Sequence, residues 1–358
     1  MKQPSIALLD RLQAAAKLRS LASVREQIDS LFQSVQRKRS NAQGEVVIEA
    51  DAGRLPLHIN KTYVLAELAQ ISESHTLPRA QYYIRRLIKA LTETKTGKLN
   101  DLNLHRWKEY SDILTDSLWL LGKRDRSGEH TAEYWGNFVP QIPNQLLRRF
   151  TKKGEWVLDT FLGSGTTLIE CKRLGRNGVG IELQSTVARA TTSRIEKEAN
   201  PFHVQTNVIV GDSSAINIKQ QLKELQIPSV QFALLHPPYW DIIKFSDNPH
   251  DLSNTGSLQE FLQTFGKVVK NVHAVLDAER YMAIVISDKY CGGEWVPLGF
   301  YTMQEALRHG FKLKSIIVKN FETTKAKRSQ EELWRYRALV GGLYVFKHEY
   351  IFLMQKTK

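Results

Sequence analysis

Cysteine is almost missing from this chain. Of its 358 residues only Cys171 and Cys291 carry thiols, so no disulfide framework is implied and a reducing compartment fits. The two stand in no metal-ligand spacing with histidine, and no metal site is expected. Long apolar runs are lacking too: nothing approaches the length needed to span a bilayer. The opening "MKQPSIALLDRLQ" carries charge too early for a secretory leader. A soluble, cytoplasmic chain with no membrane partner is therefore expected. There is no internal repeat and no low-complexity tract. What the sequence has in excess is positive charge, 50 Lys and Arg against 37 Asp and Glu, a net +13. That balance favours polyanionic partners, nucleic acid foremost. With 42% hydrophobic residues the chain can bury a core for one large domain and a smaller one.

Residues 1–130 read as a mostly helical accessory region, in which residues 40–130 are expected, by elimination, to read the sequence of a nucleic-acid partner. Leu21, Val24, Ile28, Leu31 and Val35 alternate in steps of three and four, one stripe on a helix that packs on its own domain or forms a short coiled-coil seam. Further on, "RAQYYIRRLIKALTETKTGKL" interleaves Arg79, Arg85, Arg86, Lys89, Lys95 and Lys98 with Tyr82 and Tyr83. Such a face is either solvated or suited to phosphate contacts. From Gly154 onward the pattern changes. Short apolar runs ("WVLDTF", "GVGIEL", "NVIVGD", "FALLHP", "YMAIVIS", "KLKSIIV", "EYIFLMQ") alternate with helical stretches, which predicts βαβ units and a mostly parallel sheet over residues 131–358. The last two runs lack a helix between them and are expected to pair as an antiparallel hairpin after the bend at Gly341–Gly342.

Three of these strands end in a carboxylate. In "VLDTFLGSGTTLIECKRLGR" a strand ends at Asp159, a loop holds Gly163 and Gly165, and a helix follows. No Lys-Ser/Thr follows the second glycine, so this is not a Walker phosphate loop. "GVGIEL" ends in Glu182, placed for a ribose diol, and "NVIVGDSS" ends in Asp212, placed for an adenine amine. Any one alone is more often a turn or cap residue; together they build a nucleoside pocket at the carboxyl edge of a sheet. A nicotinamide dinucleotide competes, but Asp159 beside the loop repels a diphosphate and welcomes a cation. S-adenosylmethionine, with its sulfonium and ammonium and no phosphate, suits the set better.

"LLHPPYW" follows as the next strand. Pro237 and Pro238 fix the backbone and remove two donors, so the corner is stiff and its carbonyls stay free to accept. That suits a target which is itself a donor, an exocyclic amine on a nucleobase. Tyr239 and Trp240 offer rings for a base that has left its helix. A rigid turn that only buries aromatics is the plainer alternative.

On these residues the chain resembles the S-adenosylmethionine-dependent DNA amino-methyltransferases of the N4-cytosine/N6-adenine family. "DTFLGSGTT" resembles their "DPFxGSGTT" motif, with Thr160 where proline is usual, and "HPPYW" resembles their "(D/N/S/T)PP(Y/F/W)" motif. "FVPQIPNQLLRRFTKKGEW" resembles the segment ahead of the cofactor loop, and the likeness runs from about Gly136 to Phe352. It implies a Rossmann-like class I methyltransferase fold, α/β with a mostly parallel sheet. It implies further that Phe161, Gly163, Ser164 and Gly165 line the methionine end, while Asp159 faces its ammonium, Glu182 the ribose and Asp212 the adenine. His236, Pro237, Pro238 and Tyr239 then form the catalytic turn, and the amine attacks the methyl directly. Neither Cys171 nor Cys291 follows a proline-rich catalytic turn, as methylation at a ring carbon would need.

His236 departs from the family's Asp, Asn, Ser or Thr; a neutral imidazole still accepts through one nitrogen, and a protonated one does not. Trp240 tilts the base choice to N4-cytosine over N6-adenine. "DIIKFSDNPHDLSNTG" reads as a mobile lid. DNA contact falls to Trp240, to Arg85 and Arg86, and to Lys325, Lys327 and Arg328 in "KNFETTKAKRSQEELWRYR". The expected partners are double-stranded DNA and, where the enzyme belongs to a restriction-modification system, a cognate restriction endonuclease, with the chain a monomer or homodimer. An RNA base amino-methyltransferase and a non-catalytic nucleic-acid binder are the competing readings.

Overall fold

The structure is a computed structural model that describes residues 8–41, 44–48, 57–321 and 331–357. It divides into two compact units, Met1–Lys98 with Leu102–Asp112, and Leu99–Asp101 with Ile113–Lys358. The division falls earlier than residue 130. The reason is Trp119, which is buried among the residues of the second unit and extends its sheet.

The first unit packs α1 (Leu8–Ala16), α2 (Leu21–Arg37), α3 (Lys61–Ser72) and α4 (Leu77–Thr92) around one core. The α2 stripe Val24, Ile28, Leu31 and Val35 is fully buried there, so it packs within its own unit and is not free to form a coiled-coil seam. A short antiparallel ribbon, β1 (Glu45–Ile48) with β2 (Leu57–Asn60), accompanies the helices of this mostly helical region. Asn60 ends the ribbon and caps α3 by accepting from Tyr63 N at 3.1 Å.

On α4, Ala80, Ile84, Leu87 and Ala90 face the core, which turns Arg85 outward. Arg86 has a different fate. Its guanidinium pairs with the buried carboxylate of Glu67, donates to Gln70 Oε1 at 2.6 Å and lies over the Tyr83 ring at 4.8 Å. Lys108 meets the other oxygen of Glu67 at 2.7 Å. Arg86 therefore neutralises a buried acid, whereas Arg85 is exposed.

In the second unit β3 (Leu118–Trp119) is followed by α5 (Gln141–Phe150), β4 (Trp156–Asp159), α6 (Thr166–Leu174), β5 (Asn177–Glu182) and α7 (Ser185–Lys197). Then come β6 (Thr206–Val210), α8 (Ile218–Glu224), β7 (Val230–Leu235), α9 (Leu258–Val275) and β8 (Leu276–Ile286). The chain ends in the hairpin β9 (Lys289–Cys291) and β10 (Glu294–Val296), then α10 (Leu298–Arg308), β11 (Phe311–Asn320), α11 (Glu331–Gly341) and β12 (His348–Lys356). The main sheet runs β3-β11-β12-β8-β7-β4-β5-β6. From β8 to β6 all neighbours are parallel, and β12 is antiparallel to both β8 and β11. This is the doubly wound, Rossmann-like arrangement with an antiparallel final pair. α11 lies in the connection between β11 and β12, where no helix was expected.

Both faces of the sheet are covered, which is why its strands read as unbroken apolar runs. Leu158, Ala233, Leu235, Met282 and Ile284 pack with Phe261 and Phe265 of α9. The alternate residues Val157, Phe232, Leu234, Ala283 and Val285 pack on the other face with Ile142, Leu146 and Phe150 of α5.

The different roles of the two neighbouring arginines can be tested by chemical denaturation. Arg86→Ala leaves Glu67 with one cation fewer and is expected to cost about 1–3 kcal/mol. Arg85→Ala should stay within about 0.5 kcal/mol of the parent. Equal effects would refute this assignment.

Candidate active site

The chain leaves β4 towards β5 on one side and later returns as β7 on the other. A crevice opens at such a switch, at the carboxyl ends of the strands. Asp159 closes β4 opposite Leu234 of β7, two residues before His236. Glu182 closes β5, and Asp212 lies two residues past the end of β6. Across the sheet edge the order is thus Asp212, Glu182, Asp159, His236.

The loop after β4 turns on glycine. Gly165 has φ +83°, and a Cβ there would lie 2.7 Å from Thr191 Cγ2. Asp159 is buried and accepts from Phe161 N at 2.9 Å and Thr167 Oγ1 at 2.5 Å. Glu182 accepts from Gly163 N and from Gln184 N, both at 2.9 Å, so the acid that ends β5 also holds the glycine loop. Ser164 is buried and its hydroxyl meets Asn137 Nδ2 at 3.0 Å. Asp212 accepts from Ser214 N at 2.8 Å and faces the exposed His250 imidazole at 3.7 Å.

Burial raises the Asp159 carboxyl to about 6, with Glu182 adding to the rise against the hydrogen bonds it receives. Burial likewise raises Glu182, in spite of its backbone donors. Among the described residues no Lys or Arg pairs with either acid. Nearby, the buried Thr160 hydroxyl has no hydrogen-bond partner. Two buried carboxylates without a cationic partner fit a ligand that brings positive charge, and the fit is poor for a phosphate.

On the other side of the switch, β7 runs into His236, Pro237 and Pro238. The Pro237 carbonyl accepts no hydrogen bond among the described residues, and neither proline can donate. His236 is half-buried, with Phe138 tilted on its ring at 4.9 Å. Its Nε2 lies 3.2 Å from the Tyr239 hydroxyl, which donates to Glu349 Oε2 at 2.7 Å. Burial lowers the imidazole to about 4; Glu349 opposes that shift and Lys319 adds to it. The imidazole is therefore neutral at ordinary pH.

Several expectations change. Trp240 is not a free stacking face: its Nε1 donates to Thr255 O at 3.1 Å, and Lys289 Nζ sits 4.2 Å from the ring centroid. The tilt to cytosine, which rested on Trp240, loses that support. The segment 241–256 is not a loose lid either. Buried Asp251 accepts from Ser253 N at 2.9 Å and Ser246 Oγ at 2.7 Å, and Phe245 stacks on Tyr134 beside the glycine loop. Lys325, Lys327 and Arg328 lie outside the described residues. Glu349 and Lys319 escaped the sequence reading. Their one signal was a charge at the edge of each of two apolar strand runs, Lys319 just after "KLKSIIV" and Glu349 opening "EYIFLMQ".

The acid at the heart of the site costs stability. Because the folded-state value of Asp159 is raised to about 6, the folded protein holds a proton that the unfolded chain has lost, and stability falls as pH rises towards 6. Asp159→Asn removes the charge, keeps an acceptor for Phe161 N and turns the second contact round, its amide nitrogen donating to Thr167 Oγ1. It should be more stable than the parent at pH 8, by up to about 3 kcal/mol, with the difference closing towards pH 4. Urea titrations at the two pH values check this, and a variant less stable at pH 8 would refute it.

Comparison with known proteins agrees with this geometry. Residues 57–193 match the N6/N4 methyltransferase family model, described as DNA methylase. That segment holds Asp159, the glycine loop and Glu182, and ends before Asp212 and His236. The Type II methyltransferase M.MjaII of Methanocaldococcus jannaschii is 38% identical over 68 residues, 18% of this chain and 12% of that protein. M2.DpnII of Streptococcus pneumoniae is 35% identical over 100 residues, 26% of this chain and 34% of that protein. The tRNA (guanine(10)-N2)-dimethyltransferase of M. jannaschii is 26% identical over 161 residues, 42% of each chain. Each match thus spans less than half of the relative's length. The segment 57–193 thus resembles the N6/N4 family of DNA methylases.

Proposed function

We propose that this chain is a DNA methyltransferase that transfers a methyl group from S-adenosylmethionine to the exocyclic amine of a base flipped out of the duplex. The observation that carries the reading is the switch-point crevice. It sets two buried, unpaired carboxylates on one side and a neutral, donor-poor His-Pro-Pro turn on the other.

The acids suit the cofactor: Asp159 the ammonium, Glu182 the ribose hydroxyls, Asp212 the adenine amine, with Phe161, Gly163, Ser164 and Gly165 beside the methionine end. When bound, S-adenosylmethionine would supply a methyl on a sulfonium; the N–C bond would form as the S–C bond breaks, with the electron pair leaving on the thioether of S-adenosylhomocysteine. The protein's part is to position. The His236 imidazole and the Pro237 carbonyl each accept one N–H of the target amine, which turns its lone pair out of the ring conjugation and towards the methyl. Alignment of this kind is worth about 7–11 kcal/mol. His236, lowered to about 4, accepts a hydrogen bond but is too weak a base to keep the released proton, which passes to solvent. The net charge of +13 and the exposed Arg85 of the helical unit suit a polyanion.

Cytosine N4 and adenine N6 both meet this description. The likeness to a tRNA guanine-N2 enzyme supports a second reading, an RNA amine as target. Labelled S-adenosylmethionine is offered with unmethylated genomic DNA and with total RNA, and the nucleosides are separated by mass. Label in N4-methylcytosine or N6-methyladenine is expected and names the base. Label in RNA alone moves the activity to the second reading, and no label despite cofactor binding sinks both. Asp159→Asn should weaken S-adenosylmethionine binding about tenfold to a hundredfold by calorimetry, the loss of a charge-assisted hydrogen bond.

A further inference from the structure

The acceptor role proposed for His236 needs more than a neutral ring. A neutral imidazole carries one N–H and one lone pair, and only the correct tautomer presents the lone pair to the target. The surroundings of His236 decide which nitrogen that is.

Lys319 on β11 and Glu349 on β12 are direct cross-strand partners. Both are buried, and Nζ lies 3.0 Å from Glu349 Oε1. Burial alone would raise the Glu349 carboxyl, but the Lys319 ammonium outweighs it and holds the group below its usual range. An ionised carboxylate only accepts, so the Tyr239 hydroxyl hydrogen is committed to Glu349 Oε2 at 2.7 Å. Towards His236 Nε2, 3.2 Å away, Tyr239 then offers a lone pair alone. That contact is a hydrogen bond only if Nε2 carries the hydrogen. Nδ1 is left bare, and it has no hydrogen-bond partner among the described residues.

We propose, resting on the amine-methylation reading, that Lys319, Glu349 and Tyr239 form a relay that locks His236 as its Nε2–H tautomer and so presents Nδ1 to the target amine. Phe138 from the segment before α5, Tyr239 from the same turn, Glu349 from β12 and Lys319 from β11 are the groups that face the imidazole. Phe138 fixes the ring plane, and the other three fix where its hydrogen sits. Tyr239, Glu349 and Lys319 act through His236 and are positioning residues.

The test is a double-mutant cycle read as methyl-transfer rate. Tyr239→Phe releases the tautomer and should cost tenfold or more. In the His236→Asn background the acceptor is an amide oxygen whose placement needs no tautomer lock, and adding Tyr239→Phe should cost less than threefold. Equal losses in the two backgrounds would overturn the relay, because they would mean that Tyr239 serves only as a packing or stacking ring. Nitrogen-15 spectra of the histidine-labelled parent read the tautomer without any turnover. They should show Nε2 protonated and Nδ1 bare from pH 8 down to pH 5; the opposite tautomer, or a mixture of the two, refutes the proposal. A parent that methylates neither DNA nor RNA would end the functional reading, while the spectra would still decide the relay by themselves.

Discussion

The organising constraint of this molecule is the reversal of strand order at β4. Parallel strands are joined by right-handed crossovers, so a chain that first builds outward through β5 and β6 must cross back to add β7 on the open side of β4. At that edge the carboxyl ends of β4 and β7 diverge into helices on opposite faces, and a crevice is left between them. Asp159 and His236 are brought together by this reversal alone, 77 positions apart in sequence but at the ends of hydrogen-bonded strands. Everything else in the site is arranged around that meeting.

The two sides of the crevice handle charge in opposite ways. On the β4–β6 side the acids are held by hydrogen bonds from the backbone and from Thr167, without a counter-charge, and burial raises both Asp159 and Glu182. Such a site is poised for a cation, and the fold bears the cost while none is bound. On the β7 side the acids are paired, Glu349 with Lys319 and Asp241 with Lys289. The His-Pro-Pro turn therefore sits in neutral surroundings. A charged ligand is drawn to one side, and a neutral amine can be received on the other without competing for the same field.

The β-strands of the second unit, the helix stripe of α2, the glycine loop and the three acids were legible in the sequence because each is a local pattern: a period, a strand end, a turn. What was not legible depends on distance or on competition. Arg86 looked like Arg85 on paper, and only the buried Glu67 from α3 tells them apart. Trp240 looked like an open ring until Lys289 and Thr255 closed on it. The polar run 241–256 reads as a loose loop because Ser, Asn and Asp are turn formers, yet the same side chains satisfy one another around Asp251. Glu349 is 110 residues from Tyr239, beyond the reach of any motif. The helix α11 between β11 and β12 was missed because its apolar residues are mostly exposed and leave no one-sided stripe for a helical period to show.

The departure at position 236 follows from the same electrostatics. A carboxylate there would be buried without a cation of its own, as Asp159 and Glu182 are, and burial raises both of those. A third negative charge would be driven towards its protonated form, in which it donates where it must accept. An imidazole avoids that conflict because its acceptor form is uncharged, and the same burial that would protonate a carboxylate keeps it deprotonated. Its weakness is the choice of two tautomers, which a carboxylate does not have. The buried Lys319–Glu349 pair on the last two strands, connected through one tyrosine hydroxyl, is the structural answer to that weakness.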